Sequence, residues 1–173
     1  MKIAILSDIH DNLPALRQAL KQIADRGAEV LICCGDLCSP FVAKELGLGF
    51  GGPVHVVFGN NDGDRWRIGL NAVNHPHLQL HGEFVELELG GRTFAVQHFD
   101  NIGRALAKGA AFDVVCFGHN HRFEISQVGD TLLINPGEIY GGLTGASTFV
   151  IYDPALHRAE RVEVEMKAEA REG

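Results

Sequence analysis

The chain has 173 residues, 46% hydrophobic and 21% charged, the balance of a soluble globular protein with length for one substantial core. Fifteen Lys and Arg stand against 22 Asp and Glu, a formal charge of −7, which argues against non-specific binding along a nucleic-acid backbone. The apolar runs reach only about half a dozen residues, too short to span a bilayer, and residues 1–12 lack a basic n-region and a long h-region, so the expectation is a cytoplasmic protein without a secretory signal.

Residues 2–6 read as a buried strand, being short, partly β-branched and free of Pro and Gly. The strand ends in Ser7-Asp8-Ile9-His10, where an open α/β sheet places its ligands. Leu13, Leu16, Leu20 and Ile23 then recur at helical spacing, with Asn12 as N-cap, Pro14 in the first turn and Gly27 past the end. Residues 30–34 form a second apolar run that stops at Gly35-Asp36. Strand, helix, strand is a βαβ unit, so the two strands are expected to be parallel and Asp8 and Asp36 to be neighbours.

Residues 40–48 suggest a short helix and residues 54–58 a third strand, ending in Gly59-Asn60-Asn61-Asp62-Gly63. His55 alternates with valines inside that strand and reads as a core or interface histidine. Helical turns over residues 65–71 would set Trp66 against the sheet. His75, His77 and His81 read as loop histidines, because no carboxylate or strand end accompanies them. From Phe84 the pattern alternates, and Gly90-Gly91 marks a hairpin whose second arm runs to Gln97-His98-Phe99-Asp100.

Residues 102–108 fit a helix, and residues 113–117 a buried strand ending in Gly118-His119-Asn120-His121. Segments 123–128, 131–134, 148–152 and 159–164, with turns at Gly129-Asp130 and Asp153-Pro154, read as a β-meander. Residues 167–173 read as a frayed tail, which bounds a single domain at residues 1–166. Cys33, Cys34, Cys38 and Cys116 lack the paired spacing of a zinc ribbon and read as small buried hydrophobes in a reducing compartment, with Cys38 a thiol near the pocket.

The strand-end groups are Asp8, His10, Asp36, Asn60, His98, His119 and His121. Seven oxygen and nitrogen ligands without sulfur suit two divalent ions, manganese foremost and Fe, Zn, Ni or Co as alternatives, with one carboxylate bridging.

These stretches, together with Asn12 and Asn135-Pro136-Gly137, resemble the calcineurin-like metallophosphoesterases over nearly the whole chain, specifically the small single-domain bacterial and archaeal phosphodiesterases. The resemblance implies an α/β fold of two facing mixed β-sheets flanked by α-helices. It implies Asp8, His10 and His121 around a first metal, Asn60, His98 and His119 around a second, and Asp36 between them. It further implies hydrolysis of a small phosphate ester by in-line attack of a metal-bridging hydroxide; the candidate catalytic residues are Asp36, His119, Asn61 and Asp62.

Three positions depart from the family pattern. Asn61 stands where many larger members carry a histidine able to protonate the leaving group, so general-acid help is in question. Phe99-Asp100 follows His98 where the small members usually have Gly and then often His, and Ser39 replaces an aspartate of the broader superfamily. Asp62 is a candidate to orient a coordinating histidine or to stabilise a turn. Arg65 and Arg122 flank ligand motifs and are either phosphate clamps or solvated surface arginines. Two other readings are a non-catalytic interaction scaffold like the retromer subunit of this fold, against which the seven retained ligands argue, and a nuclease, against which the acidic balance argues. A homo-oligomer is suggested by analogy alone.

Overall fold

In β1 (Ile3–Leu6) every residue is buried, because successive side chains point to opposite faces of the strand and both faces are covered. Ile3 and Ile5 enter a core between two sheets, while Ala4 and Leu6 enter a second core under the helices. The chain here is a computed structural model that describes residues 1–166, so the expected frayed tail at residues 167–173 lies outside the described residues.

The order continues α1 (Leu13–Asp25), β2 (Val30–Cys33), α2 (Pro40–Gly49), β3 (Val54–Val56), α3 (Arg65–Val73) and β4 (Leu78–Leu80). Then come β5 (Phe84–Leu89), β6 (Arg92–Gln97), α4 (Asp100–Lys108), β7 (Val114–Cys116), β8 (Glu124–Val128), β9 (Thr131–Asn135), β10 (Thr148–Asp153) and β11 (Arg158–Glu163). One sheet has the order β11-β10-β1-β2-β3-β4 and the other β5-β6-β7-β9-β8. Both are mixed, and Phe94, Val114 and Ile134 of the second meet Ile5, Ile32 and Val150 of the first across the shared core.

Local signals act as expected in several places. The Asn12 side chain accepts from the backbone N–H of Ala15 at 3.2 Å and caps α1, Pro14 lies in the first turn, and Gly27 follows the helix at φ +70°. β1 and β2 pair in parallel, Leu6 opposite Cys33, so their ends bring Asp8 and Asp36 together. Gly90 and Gly91, at φ 59° and 73°, close the β5–β6 hairpin as a two-residue turn that needs left-handed backbone at both positions.

Other expectations are corrected. The four C-terminal strands are not one meander: β8 and β9 form a hairpin whose β9 runs parallel to β7, whereas β10 and β11 join the first sheet beside β1. Trp66 does not pack on the sheet and is 76% exposed, because α3 buries Ile68 and Ala72, a face from which position 66 points away. Residues 78–80, passed over in the sequence, form β4 and extend the parallel sheet next to β3. His81 directly follows β4 and meets His55, Nε2 to Nδ1, at 3.0 Å. Among the described residues, no helix is long and apolar enough to cross a membrane.

Candidate metal centre

The carboxyl ends of β1, β2, β3, β6 and β7 deliver Asp8, His10, Asp36, Asn60, His98, His119 and His121 to one place. Close approach of the loops is possible because the strand ends carry glycine. A Cβ at Gly59 would collide with Oδ1 of Asp36, and one at Gly118 would lie 2.5 Å from Oδ2 of Asp8. The loops also bind one another: the N–H groups of Ile9 and His10 donate to the Asp36 carbonyl at 2.9 and 3.1 Å, and that of Gly118 to the His98 carbonyl at 2.9 Å. Asp8, His10, Asp36, His119 and His121 all have left-handed φ, between 43° and 71°. Such backbone costs a non-glycine residue free energy and persists only where surrounding bonds enforce it.

Two sets of donor atoms emerge. Nε2 of His10 lies 3.9 Å from Oδ1 of Asp8 and 3.4 Å from Oδ2 of Asp36, and Nε2 of His121 lies 3.5 Å from the same Asp8 oxygen. On the other side of Asp36, Nε2 of His98 is 3.4 Å from its Oδ1 and 3.0 Å from Oδ1 of Asn60, which also faces Nδ1 of His119 at 2.8 Å. Asp8, His10 and His121, and likewise Asp8, Asp36 and His98, each present ligand atoms within 4.8 Å of one another.

The outer bonds fix what these atoms offer. Nδ1 of His98 donates to the Cys34 carbonyl at 2.8 Å, which leaves a lone pair on Nε2 of the neutral ring. Nδ1 of His121 donates to the Glu138 carboxylate at 2.6 Å, with the same result for its Nε2. Nε2 of His10 is buried and has no hydrogen-bond partner among the described residues. Lone pairs of His98 and His121 therefore face carboxylate oxygens at 3.4 and 3.5 Å, longer than hydrogen bonds, and Nε2 of His10 stands 3.4 Å from Oδ2 of Asp36. Two donors each about 2.1 Å from one ion and roughly 90–110° apart would be separated by about 3.0–3.4 Å. The residues present fit cations.

Electrostatics point the same way. Burial, helped by the Asp36 charge, pushes the Asp8 carboxyl above its ordinary pKa. Burial acts upward on Asp36 too, but the His98 imidazole beside it and the hydrogen bonds from Asn61 outweigh it and hold that carboxyl well below the usual range. Burial would lower His98, yet the adjacent Asp36 and Asp8 carboxylates win and raise it. A cation between Asp8 and Asp36 would relieve the mutual repulsion of their charges.

The remaining candidates divide. Asn61 donates through its backbone N–H to Oδ1 and through its amide to Oδ2 of Asp36, at 2.8 and 2.7 Å. Asp62 orients no histidine; its carboxylate accepts from the N–H groups of Asp36, Leu37, Cys38 and Gly59 at 3.2, 2.7, 3.0 and 2.6 Å, so it shapes the turn under Asp36. Arg65 is turned to Glu83, the Gly59 carbonyl and the Phe58 ring, and Arg122 is exposed; neither lines the cleft at the centre. Phe99 packs its ring against His98 and His119 at 5.3 and 5.2 Å, so the departure after His98 places an apolar face beside the second donor set. Cys33, Cys34 and Cys116 are buried, as expected. Cys38 sits with Sγ 3.4 Å from Nδ1 of His10, its thiol pushed up to about 12 by burial and nearby carboxylates.

Glu138 was not singled out from the sequence. Fully buried, it bonds His121 with one oxygen and the backbone N–H groups of Leu143 and Thr144 with the other. Its signal was an acidic residue directly after Asn135-Pro136-Gly137, beyond yet another strand end.

Residues 1–155 match the family model of the calcineurin-like phosphoesterase superfamily domain. The chain belongs to the calcineurin-like phosphoesterase superfamily. It is 36% identical over 157 residues to Phosphodiesterase MJ0936 of Methanocaldococcus jannaschii, covering 88% of this chain and 93% of that one. The solved structure of an archaeal phosphodiesterase superposes with a TM-score of 0.87 at 33% identity, covering 94% of this chain and 99% of the other. Vps29 of Entamoeba histolytica, solved with zinc, shares the fold at a TM-score of 0.66 and 17% identity, over 95% and 100% of the two chains. The strand-end cluster of this calcineurin-like domain thus sits in a metal-dependent phosphoesterase framework.

Proposed function

We propose that the chain is a dinuclear metal-dependent phosphodiesterase that hydrolyses a small phosphate ester. Asp8, His10 and His121 would hold one divalent ion, Asn60, His98 and His119 the other, and Asp36 would bridge them, with manganese the foremost candidate. The observation that carries this reading is the convergence of lone-pair donors around Asp36, including the buried and unpaired Nε2 of His10. Bound ions would supply Lewis acidity toward phosphate oxygens and a lowered pKa for the attacking water.

The chain's own residues do the orienting. Asn61 and the turn organised by Asp62 hold both Asp36 oxygens in register. Glu138 and the Cys34 carbonyl lock the tautomers of His121 and His98. A cleft of about 370 Å³ opens beside them, lined by His10, Asn61, His121, Tyr140 and Leu143. No Lys or Arg stands in that lining, which favours the single negative charge of a diester over the additional charge of a monoester or polyphosphate. The similarity to a named phosphodiesterase supports the same choice.

The test is metal-stripped protein reloaded with single metals and assayed over diesters, monoesters and nucleotides. Up to two ions per chain, loss of hydrolysis on chelation and preference for diesters are expected. Full activity in metal-free protein would sink the reading.

A further inference from the structure

The cleft has two unlike walls. His10, Asn61 and His121 present polar donors, whereas Tyr140 and Leu143 face them with an aromatic ring and an aliphatic side chain. Leu143 is 70% exposed and Tyr140 38% exposed, so large apolar surface stands in water next to the centre. Both residues are nonetheless held by their backbone. The N–H of Tyr140 donates to the Asp8 carbonyl at 2.9 Å, and the preceding N–H of Ile139 to the Ser7 carbonyl at 3.0 Å. The N–H of Leu143 donates to Oε1 of Glu138 at 3.1 Å, and Thr144 closes on the same oxygen with its N–H and hydroxyl at 2.7 and 2.8 Å.

The ring has a backing as well. It lies over Gly142, where any Cβ would strike it, and its edge meets the His10 imidazole with centroids 5.6 Å apart and planes at 63°. A pre-formed apolar face beside a few convergent polar groups is the usual make-up of a small-molecule site, and about 370 Å³ lies at its small end. On the phosphodiesterase reading the phosphate would sit at the polar wall, which leaves the apolar wall for what the phosphate carries.

We infer that Tyr140 and Leu143 are specificity residues that receive a planar, uncharged ring on the substrate, an aryl or nucleoside-like group rather than a short alkyl or charged one. This rests on the phosphodiesterase reading above, because that reading puts the phosphate at the polar wall. The loop from Ile139 to Ser147 would then select the ester, while the strand ends act on its phosphorus.

The test compares two probes with the same anionic head, phenylphosphonate and methylphosphonate, by calorimetric titration of metal-loaded protein, with hydrolysis of bis(4-nitrophenyl) phosphate followed in the same preparations. The parent should bind the phenyl probe about tenfold or more tightly than the methyl probe, about 1.4 kcal/mol. Tyr140→Ala and Leu143→Ala should each bring that ratio below about threefold with metal content unchanged, and Tyr140→Phe should preserve it. Equal affinity of the parent for both probes, or a ratio that survives both alanine variants, would overturn the ring site. A ratio that behaves as expected without diester hydrolysis would overturn the phosphodiesterase reading and leave the ring site standing. Binding of neither probe would overturn the ring site, and together with absent diester hydrolysis would overturn both.

Discussion

Nδ1 of His121 and Oε2 of Glu138 lie 2.6 Å apart, and the other oxygen of Glu138 gathers the N–H groups of Leu143 and Thr144. One buried carboxylate therefore ties a candidate metal ligand to the loop that forms the cleft's apolar wall. Glu138→Gln keeps the size but leaves one acceptor oxygen, so an NH2 must face either Nδ1–H of His121 or the Leu143 and Thr144 N–H groups, and the imidazole loses its carboxylate partner. Metal affinity should fall about 10- to 100-fold, measured by competition with a chelator. Unchanged affinity would show that Glu138 serves the loop alone.

Asn61 spans both oxygens of Asp36 and lines the cleft without a titratable group of its own. Lacking a proton to give, the parent should strongly favour esters with low-pKa leaving groups, since a general acid typically contributes about 10²- to 10⁴-fold. Asn61→His should narrow that gap, seen as a shallower dependence of rate on leaving-group pKa at constant metal occupancy. If activated and unactivated esters change by the same factor, the position has no role in proton delivery.

At Gly59 any side chain would meet the Asp36 carboxylate, the neighbouring Asp36 N–H and the His98 ring. Gly59→Ala should lower stability by roughly 1–3 kcal/mol, the usual cost of forcing atoms into a filled site, and should displace Asp36. Denaturant unfolding and metal analysis read the two effects. A variant with parental stability and metal content would contradict the close packing of these loops.

His55 and His81 share a bond at 3.0 Å in the first sheet, and burial holds both below the ordinary value of 6.5. The unfolded chain therefore takes up protons at these sites before the folded chain does. Their contribution is complete above pH 6.5 and is lost as pH falls below it toward the lowered folded values. His55→Gln should flatten the decline of melting temperature between about pH 7 and about pH 5. A parallel decline in parent and variant would assign the acid sensitivity elsewhere.

How much of this was legible in the sequence follows from the range of each interaction. The five strand ends could be read because apolar runs, glycine and candidate ligand residues lie within a few positions of one another, and the Asn12 cap and Gly90-Gly91 turn are equally local. The partition of the last four strands was hidden, since β9 beside β7 and β10 beside β1 are long-range pairings that alternation does not encode. β4 escaped notice because three residues, Leu78 to Leu80, give no measurable period. Trp66 misled by its type, for an aromatic is buried only when its helix turns that way. Asp62 was seen as a carboxylate near ligands, but its four backbone partners depend on how two loops stack.

Five of the seven strand-end residues occupy left-handed backbone, a conformation that costs a non-glycine residue about 1–3 kcal/mol. The whole chain must be stable enough to hold them there. Glycine at any of the five would relieve that backbone strain and remove a candidate ligand atom at once, so on the proposed reading stability and ligand supply pull the same residues in opposite directions.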